Sequence, residues 1–185
     1  MMIEHMIPFM PMSTVTILDD VISIGYQNLI ENLFNSDSYN WNHISGLTFD
    51  DDNNTGFVSK IFHSDEKIKK PETDLLLPLL CEGVNKYKEG WQYKNLFRIM
   101  ARMTLKNQNS STHLPHVDYE IPHFTMLYYV NDSDSGTNIH DEGKIIRSIE
   151  QKKGRVVIMT GNILHSSTTP KVTSNRKVLN FNFLM

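Results

Sequence analysis

The chain has 185 residues, 39% of them hydrophobic, and a formal net charge of −3. This length fits one globular domain, and the charge does not indicate a nucleic-acid partner. A single cysteine excludes an intrachain disulfide framework. No apolar run approaches the roughly 20 residues of a membrane helix, and no signal-peptide pattern precedes the domain, so we predict a cytoplasmic protein that does not enter a membrane.

The first part of the chain predicts helices that support the rest. Residues 1–12 are apolar and rich in methionine, and we expect an edge strand or arm that lies on the domain. Asp20 is the predicted N-cap of a helix that ends at Asn35, because apolar residues recur between them at helical spacing. Asp74 is the predicted cap of a second helix over 75–88, with Pro78 near its first turn.

Other residues of this first part are assigned by their neighbours. Strands are predicted over 39–49 and 56–62, on either side of a polar turn. Cys81 lies in an apolar stretch, which favours a buried, inert thiol. Trp41 and Trp91 are interpreted as core anchors.

From residue 96 onward the pattern changes to short strands separated by loops rich in Asn, Asp, Ser and Gly. No helical periodicity interrupts them, which indicates an antiparallel double-sheet roll. Periodicity alone predicts a mostly β chain with N-terminal helices. The predicted strands are 96–106, 124–130, 136–140, 144–149, 155–160 and 176–185.

A candidate metal site begins with His116 and Asp118. Residues two apart on an extended strand point to the same side, so this imidazole and this carboxylate converge. A further histidine, His165, follows the apolar run 156–159. Two histidines and one carboxylate form the facial triad of non-haem Fe(II) oxygenases, in which other metal positions stay open for cosubstrate and dioxygen. The sequence therefore predicts a metal site at these three residues.

Residues 98–184, about half of the chain, resemble the prolyl-hydroxylase branch of the 2-oxoglutarate/Fe(II) dioxygenases. Thr125–Asn131 matches that family's Thr-x-x-x-Tyr-[Leu/Val]-Asn strand, and Ser135-Gly136-Thr137 stands where the family has Gly-Gly-x-[Thr/Leu]. Arg176 opens the last strand, eleven residues after His165. The resemblance implies a mostly β (α+β) fold, a double-stranded β-helix or jelly roll with N-terminal helices packed outside. We expect a single domain over 1–185, in which 1–95 supports a core at 96–185.

The resemblance also implies roles for individual residues. His116, Asp118 and His165 would bind Fe(II), and Arg176 would pair with the distal carboxylate of 2-oxoglutarate. Tyr129 would donate a hydrogen bond to the same carboxylate.

Further cosubstrate contacts are less defined. Thr125 shares a strand face with Tyr129 and is a further candidate. Lys106 stands where prolyl hydroxylases often have a cosubstrate-binding tyrosine, and Arg102 and Thr104 lie on the same strand face, so which of the three assists stays open.

Strand alternation supports the assignment of the last strand. One face is expected to point into the cavity and the other to pack on the apolar layer behind it. The cavity set is Arg176, Val178, Asn180 and Asn182, and the packing set is Lys177, Leu179, Phe181 and Phe183.

The expected activity is hydroxylation of a prolyl residue in a peptide or protein. As the family implies, Fe(II) would be the cofactor, 2-oxoglutarate and O2 would be consumed, succinate and CO2 would be released, and ascorbate is a candidate reductant. No nucleic-acid or membrane partner is expected, and the oligomeric state is open. Three alternatives remain: a free amino acid or metabolite as substrate, a methylated nucleic-acid base, or a cupin-like module that binds metal or sugar without turnover. His113, His123 and His140 are interpreted as structural or solvated residues.

Overall fold

A computed structural model of the chain describes residues 14–46, 55–108 and 112–185. Strands dominate it, as the sequence predicts, and two helices precede the main run of strands. In chain order the elements are β1 Val15–Leu18, α1 Ile24–Asn35, β2 Asn42–Ile44, β3 Gly56–His63, β4 Ile68–Lys69, α2 Glu72–Tyr87, β5 Asn95–Leu105, β6 Phe124–Tyr129, β7 Gly136–Asp141, β8 Lys144–Glu150, β9 Val156–Thr160, β10 His165–Ser167 and β11 Asn175–Leu184.

Two antiparallel sheets face each other. The larger has the order β1-β9-β6-β11-β5-β3-β2, with β4 paired to β3, and the smaller has the order β10-β7-β8. Isolated bridges from Thr112 to Thr168 and from His116 to His165 add a short extended stretch to the free side of β10. This is the jelly roll that the sequence predicts, and it sets His116 directly against His165.

Alternation along the central strands divides the core into two parts. On β11, Leu179, Phe181 and Phe183 face the helices, in one cluster with Phe34 of α1 and buried leucines of α2. Val178 faces the other sheet, in a second cluster with Leu127, Tyr129, Val157 and Met159. Because both faces of the central strands are covered, β6 and β9 read as nearly continuous apolar runs. The second cluster borders the candidate site.

Both helices start away from the predicted caps. Asp20 has a φ of 55° and lies before the helix, and Ser23 caps α1 by accepting a hydrogen bond from the Tyr26 amide at 3.3 Å. In α2, Asp74 lies inside the first turn and pairs with Lys69 at 3.0 Å. The earlier start of α2 carries Pro78 past the first turn, where its missing N–H removes one helical hydrogen bond.

Of Cys81, Trp41 and Trp91, three side chains predicted to be buried, only Trp41 packs as the sequence predicts. Cys81 is exposed, because it lies with Glu82 and Asn85 on the solvent side of α2, outside the buried stripe of the helix, so the prediction of a buried thiol is wrong. Trp91 is 39% exposed beneath the Lys88 ammonium and is not a core anchor, whereas Trp41 does pack against the core.

Two predictions concern residues that lie, wholly or in part, outside the described ranges. The predicted arm at 1–12 and the end of the predicted strand 39–49 lie outside the described residues. Among the residues that the structure does describe, neither helix is long and apolar enough to cross a membrane.

Candidate metal centre and cosubstrate pocket

The structure brings the three predicted metal ligands together. The backbones of His116 and His165 exchange two hydrogen bonds, of 2.9 and 3.0 Å, across their bridge. Their ring centroids are 4.6 Å apart, and the ligand atoms of both residues and Asp118 all lie within 4.8 Å of one another. A strand bridge therefore fixes two imidazoles side by side, with the carboxylate two residues along.

Both imidazoles are held with one nitrogen available for a metal. Nδ1 of His116 lies 3.3 Å from the Leu114 carbonyl, and Nδ1 of His165 lies 3.0 Å from the Ile163 carbonyl. Because a carbonyl only accepts, each Nδ1 carries the proton and each Nε2 keeps its lone pair. Burial lowers the pKa of His116 to about 4. His116 is thus neutral at pH 7, as a metal ligand must be.

The carboxylate of Asp118 is held by residues paired across three adjacent strands of the large sheet. Arg98 on β5, Asn182 on β11 and Thr125 on β6 are direct neighbours in the strand register. Arg98 Nη2 donates to Asp118 Oδ1 at 2.8 Å, while Thr125 Oγ1 and Asn182 Nδ2 each donate to Oδ2 at 2.9 Å. Asn180 Nδ2 lies 3.1 Å from both oxygens.

These donors keep Asp118 ionised. Burial raises the pKa of its carboxyl group, but the charge of Arg98 and the amides of Asn182 and Asn180 outweigh burial. The pKa therefore lies well below its usual range. The side chain is 2% exposed, so the position and the charge of this ligand are both fixed by the protein.

Arg176 lies at the other end of the same pocket. It is 5% exposed, its Nη2 donates to Thr137 Oγ1 at 3.3 Å, and its Nε is buried with no hydrogen-bond partner. The hydroxyl of Tyr129 also donates to Thr137 Oγ1, at 2.8 Å. Burial lowers the pKa of Arg176 to about 10, so the guanidinium stays charged at neutral pH. A buried cation with a donor unused is suited to an incoming carboxylate.

One pocket joins the metal ligands to this arginine. His116 and His165 line one end, Arg176 lines the other, and Leu127 and Val178 form an apolar wall between them. Apolar walls strengthen the attraction between a guanidinium and a carboxylate by lowering the local dielectric. The arrangement therefore offers metal ligands at one end and a cation suited to a carboxylate at the other.

Of the other residues predicted to contact the cosubstrate, most do not lie beside Arg176. Thr125 contacts Asp118 and not Arg176. Lys106 is exposed beyond the end of β5, in a separate surface depression that Thr104 also lines. Of the three basic or polar candidates on that strand, the structure brings only Arg102 into the pocket with Arg176.

Sequence reasoning missed two residues of this site. Arg98 is one, although alternation along β5 places it on the same face as Arg102 and so offered a signal. Thr137 is the other: it was noted only as part of a turn pattern, yet its hydroxyl joins Tyr129 to Arg176.

The additional histidines have structural partners or positions. His113 is buried between Ser167 and Thr169, and both ring nitrogens are hydrogen-bonded. A Cβ on Gly161 would lie 2.2 Å from the ring of His123, so this imidazole packs where only glycine leaves room.

Comparison with known proteins identifies the fold. No protein-family model matches the sequence, and no curated protein matches it. An oxidoreductase of the 2OG-Fe(II) oxygenase family from Burkholderia pseudomallei matches with a TM-score of 0.73 and 15% identity, over 92% of this chain and 84% of that one. A prolyl hydroxylase from Trichoplax adhaerens, in complex with a peptide fragment of the hypoxia inducible factor oxygen degradation domain, matches with a TM-score of 0.61 and 11% identity, over 92% and 83%.

HygX from Streptomyces hygroscopicus, with nickel, 2-oxoglutarate and hygromycin B bound, matches with a TM-score of 0.62 and 9% identity, over 92% of this chain and 82% of that one. At these identities the likeness concerns the fold. The chain has the fold of the 2OG-Fe(II) oxygenases, prolyl hydroxylases included. Within that fold it carries a His/Asp/His cluster.

Proposed function

We propose that the protein is a 2-oxoglutarate- and Fe(II)-dependent dioxygenase. The observation that carries this proposal is one pocket with a His/Asp/His cluster at one end and, at the other, a buried Arg176 whose Nε has no partner. A metal-binding module without turnover would have no use for that buried cation. In the solved HygX structure, nickel and 2-oxoglutarate are bound on the same fold.

The residues present fit both groups. His116, Asp118 and His165 would hold Fe(II), because each offers a deprotonated nitrogen or oxygen of the type that iron accepts. Bound iron and 2-oxoglutarate would supply the activation of dioxygen, with one oxygen atom going to the substrate and the other to succinate as CO2 leaves. The protein itself contributes orientation and charge.

The contribution of the protein begins with the distal carboxylate. Arg176 would bind it through the unpartnered Nε and the adjacent Nη2, and Thr137 keeps that guanidinium in place. Tyr129 donates to Thr137 in the structure, and we propose that its hydroxyl turns to the carboxylate when the cosubstrate is present. Leu127 and Val178 would exclude water from the carbon chain of 2-oxoglutarate between its keto-acid end and its distal carboxylate.

We further propose that the substrate is a prolyl residue of a peptide or protein. Two observations support this choice: the Thr125–Asn131 strand resembles that of prolyl hydroxylases, and a prolyl hydroxylase bound to a peptide shares the fold. Leu114 and Ile121, in the stretch that carries His116 and Asp118, are exposed and available to a peptide. The proposed compartment is the cytosol, where reductants keep iron in its Fe(II) state.

Arg102 supports a second candidate, a free amino acid or other small carboxylate. Its side chain lines the pocket together with His116 and Asn180, which places a second guanidinium near the metal end. A carboxylate on a small substrate could pair with it. The position of a second arginine after Arg176, expected for a nucleic-acid demethylase, is taken by Asn180 and Asn182, which hold Asp118.

Mass spectrometry after turnover separates these candidates. The protein is incubated with Fe(II), 2-oxoglutarate and ascorbate, with a proline-rich peptide library in one reaction and free amino acids in another. We expect one added oxygen on proline within peptides, and no product from the His165→Ala variant. Oxidation of free amino acids alone would move the function to the second candidate. Absence of 2-oxoglutarate consumption in every reaction would contradict the dioxygenase itself.

A further inference from the structure

Two arginines lie close together on the face of the large sheet that lines the pocket. Arg176 on β11 is paired with Thr104 of β5, and Arg102 is two residues from Thr104 along the same strand. Residues two apart on a strand share a face, so the two arginines are diagonal neighbours with Cα atoms roughly 7–8 Å apart. Long side chains meet at that spacing, and both arginines line the one pocket.

The charged lining of this pocket is basic. Among the described residues that line it, Arg102 and Arg176 are joined by no acidic side chain. The carboxylate of Asp118 lies nearby but is 2% exposed, outside that lining, and already pairs with Arg98. The pocket therefore presents two guanidinium groups to a molecule that enters it.

The two guanidinium groups act on each other. Burial lowers the pKa of Arg176 to about 10, and the charge of Arg102 contributes to that lowering. Repulsion between like charges is stronger beside apolar walls than in water, because the local dielectric is lower. Nε of Arg176 is buried and has no hydrogen-bond partner. A dianion that paired with both guanidinium groups would relieve the repulsion and supply the missing acceptor.

The rest of the lining indicates the kind of dianion. Leu127 and Val178 form an apolar wall, and Val178 lies directly opposite Arg102 in the strand register. The hydroxyl groups of Thr137 and Ser166 also line the pocket and can donate to carboxylate oxygens. A carbon chain with a carboxylate at each end matches this lining. Five carbons place the two carboxyl carbons roughly 5 Å apart, a span that side chains on neighbouring strands can match.

The size of the pocket limits the length of the ligand. The cavity volume is about 40 Å³, which is room for roughly three water molecules. A dicarboxylate needs more space, so the lining must draw back when it binds. The long stems of Arg102 and Arg176 can change rotamer to allow this. The pocket is therefore suited to short dicarboxylates and not to bulkier anions.

We propose that the metal-free protein binds a short linear dicarboxylate in this pocket, with one carboxylate on Arg176 and the other on Arg102. A metal ion is not required, because guanidinium groups hold both ends of the ligand. A metal ion and a dicarboxylate can then enter the protein in either order. This binding goes beyond the proposed activity and does not depend on it.

Titration calorimetry on metal-free protein tests the proposal. Glutarate is the probe, because it has two carboxylates and lacks the keto group that would chelate a metal. Butyrate is the matched ligand, in which a hydrogen replaces one carboxylate. Arg102→Met and Arg176→Leu each remove one guanidinium group. The control variant is Lys106→Met, which removes an exposed cation just beyond the end of the same strand and outside the pocket.

We expect wild type to bind glutarate at least ~10-fold more tightly than butyrate, because removing one partner of a buried ion pair weakens binding. This preference should disappear in Arg102→Met and in Arg176→Leu and persist in Lys106→Met. Urea unfolding midpoints establish that the variants are folded. If Arg176→Leu does not fold, Arg102→Met still makes the comparison, because Arg102 is only partly buried.

Four results would overturn the proposal: no binding of glutarate, no preference for glutarate over butyrate, a preference retained in Arg102→Met, or an equal loss in Lys106→Met. Each would leave the dioxygenase proposal standing, because bound iron would hold the keto-acid end of 2-oxoglutarate without Arg102. Wild type that binds glutarate but does not consume 2-oxoglutarate would contradict the dioxygenase alone.

Discussion

Replacing Arg98 by Met tests how the protein holds the metal-binding carboxylate. Arg98 and Asp118 have side chains that are 12% and 2% exposed, and their ion pair is 2.8 Å long. Removing one partner of a buried pair costs ~3–5 kcal/mol, because the other charge stays buried without compensation. Asp118 keeps its donors from Thr125, Asn180 and Asn182, so we expect the lower limit, about 3 kcal/mol.

Lys60→Met provides the matched control. Lys60 also forms an ion pair, with Glu66 at 2.6 Å, but both side chains are more than 40% exposed, at 44% and 42%. Such an exposed pair contributes little to stability, because water screens both charges. Urea unfolding of metal-free protein measures both losses, and Arg98→Met should lose clearly more stability than Lys60→Met.

A bound metal ion should reduce the difference in stability loss between Arg98→Met and Lys60→Met. Bound Ni²⁺ places positive charge beside Asp118 and compensates for the missing guanidinium, so the Arg98→Met variant should gain more stability from metal than wild type does. Equal losses in Arg98→Met and Lys60→Met, or a metal response identical to wild type, would refute the reasoning that Arg98 fixes the charge of this ligand.

Three further perturbations have defined outcomes. Arg176→Leu should weaken 2-oxoglutarate binding by ~2–5 kcal/mol and Tyr129→Phe by about 1 kcal/mol, measured calorimetrically on Ni²⁺-loaded protein; equal binding by all three proteins would show that the anchoring end is misassigned. Gly161→Ala should destabilise the fold by ~1–3 kcal/mol through the 2.2 Å approach to His123, and a double variant with His123→Ala should recover most of that loss in urea unfolding. A hydroxyl and three backbone amides of the loop before β11 donate to Asp134 and hold its pKa below the usual range, so Asp134→Asn should cost about 1 kcal/mol at pH 7, and the difference from wild type should shrink below pH ~4. A loss that stays constant down to pH ~2 would contradict the role of its charge.

Alternation allowed much of the site to be predicted from the sequence. The last strand places Arg176, Asn180 and Asn182 on one face, and the structure has all three in or beside the pocket. The two strand-borne histidines and the carboxylate were recognisable because metal ligands require those residue types at strand spacing. Such local periodicities survive folding because one face of each strand must be buried.

The remaining features depend on contacts between distant parts of the chain. Arg98 contacts Asp118 because of the register of β5, β11 and β6. A local sequence pattern does not predict that register. Lys106 was a candidate because of its spacing from the ligands, but β5 passes the pocket at Arg102 and ends at Leu105, so Lys106 lies beyond the pocket.

The predicted starts of both helices were wrong, because they too depend on structure outside the local sequence pattern. Asp20 and Asp74 are both good caps by residue type, and the choice between them and their neighbours depends on how the preceding chain enters the helix. At Asp20 the backbone is in the left-handed region, which delays α1 to Ser23. Cys81 shows the same limit: an apolar neighbourhood in sequence does not fix which face of a helix is covered.

The central claim is that one pocket binds iron at His116, Asp118 and His165 and 2-oxoglutarate against Arg176. Anaerobic addition of 2-oxoglutarate to the Fe(II)-loaded protein tests it most directly, because a keto acid chelated to Fe(II) gives a weak visible charge-transfer band. We predict that this band develops in wild type and is absent from Asp118→Ala and His165→Ala. Wild-type protein that carries one equivalent of Fe(II) and shows no band at saturating 2-oxoglutarate would contradict the claim.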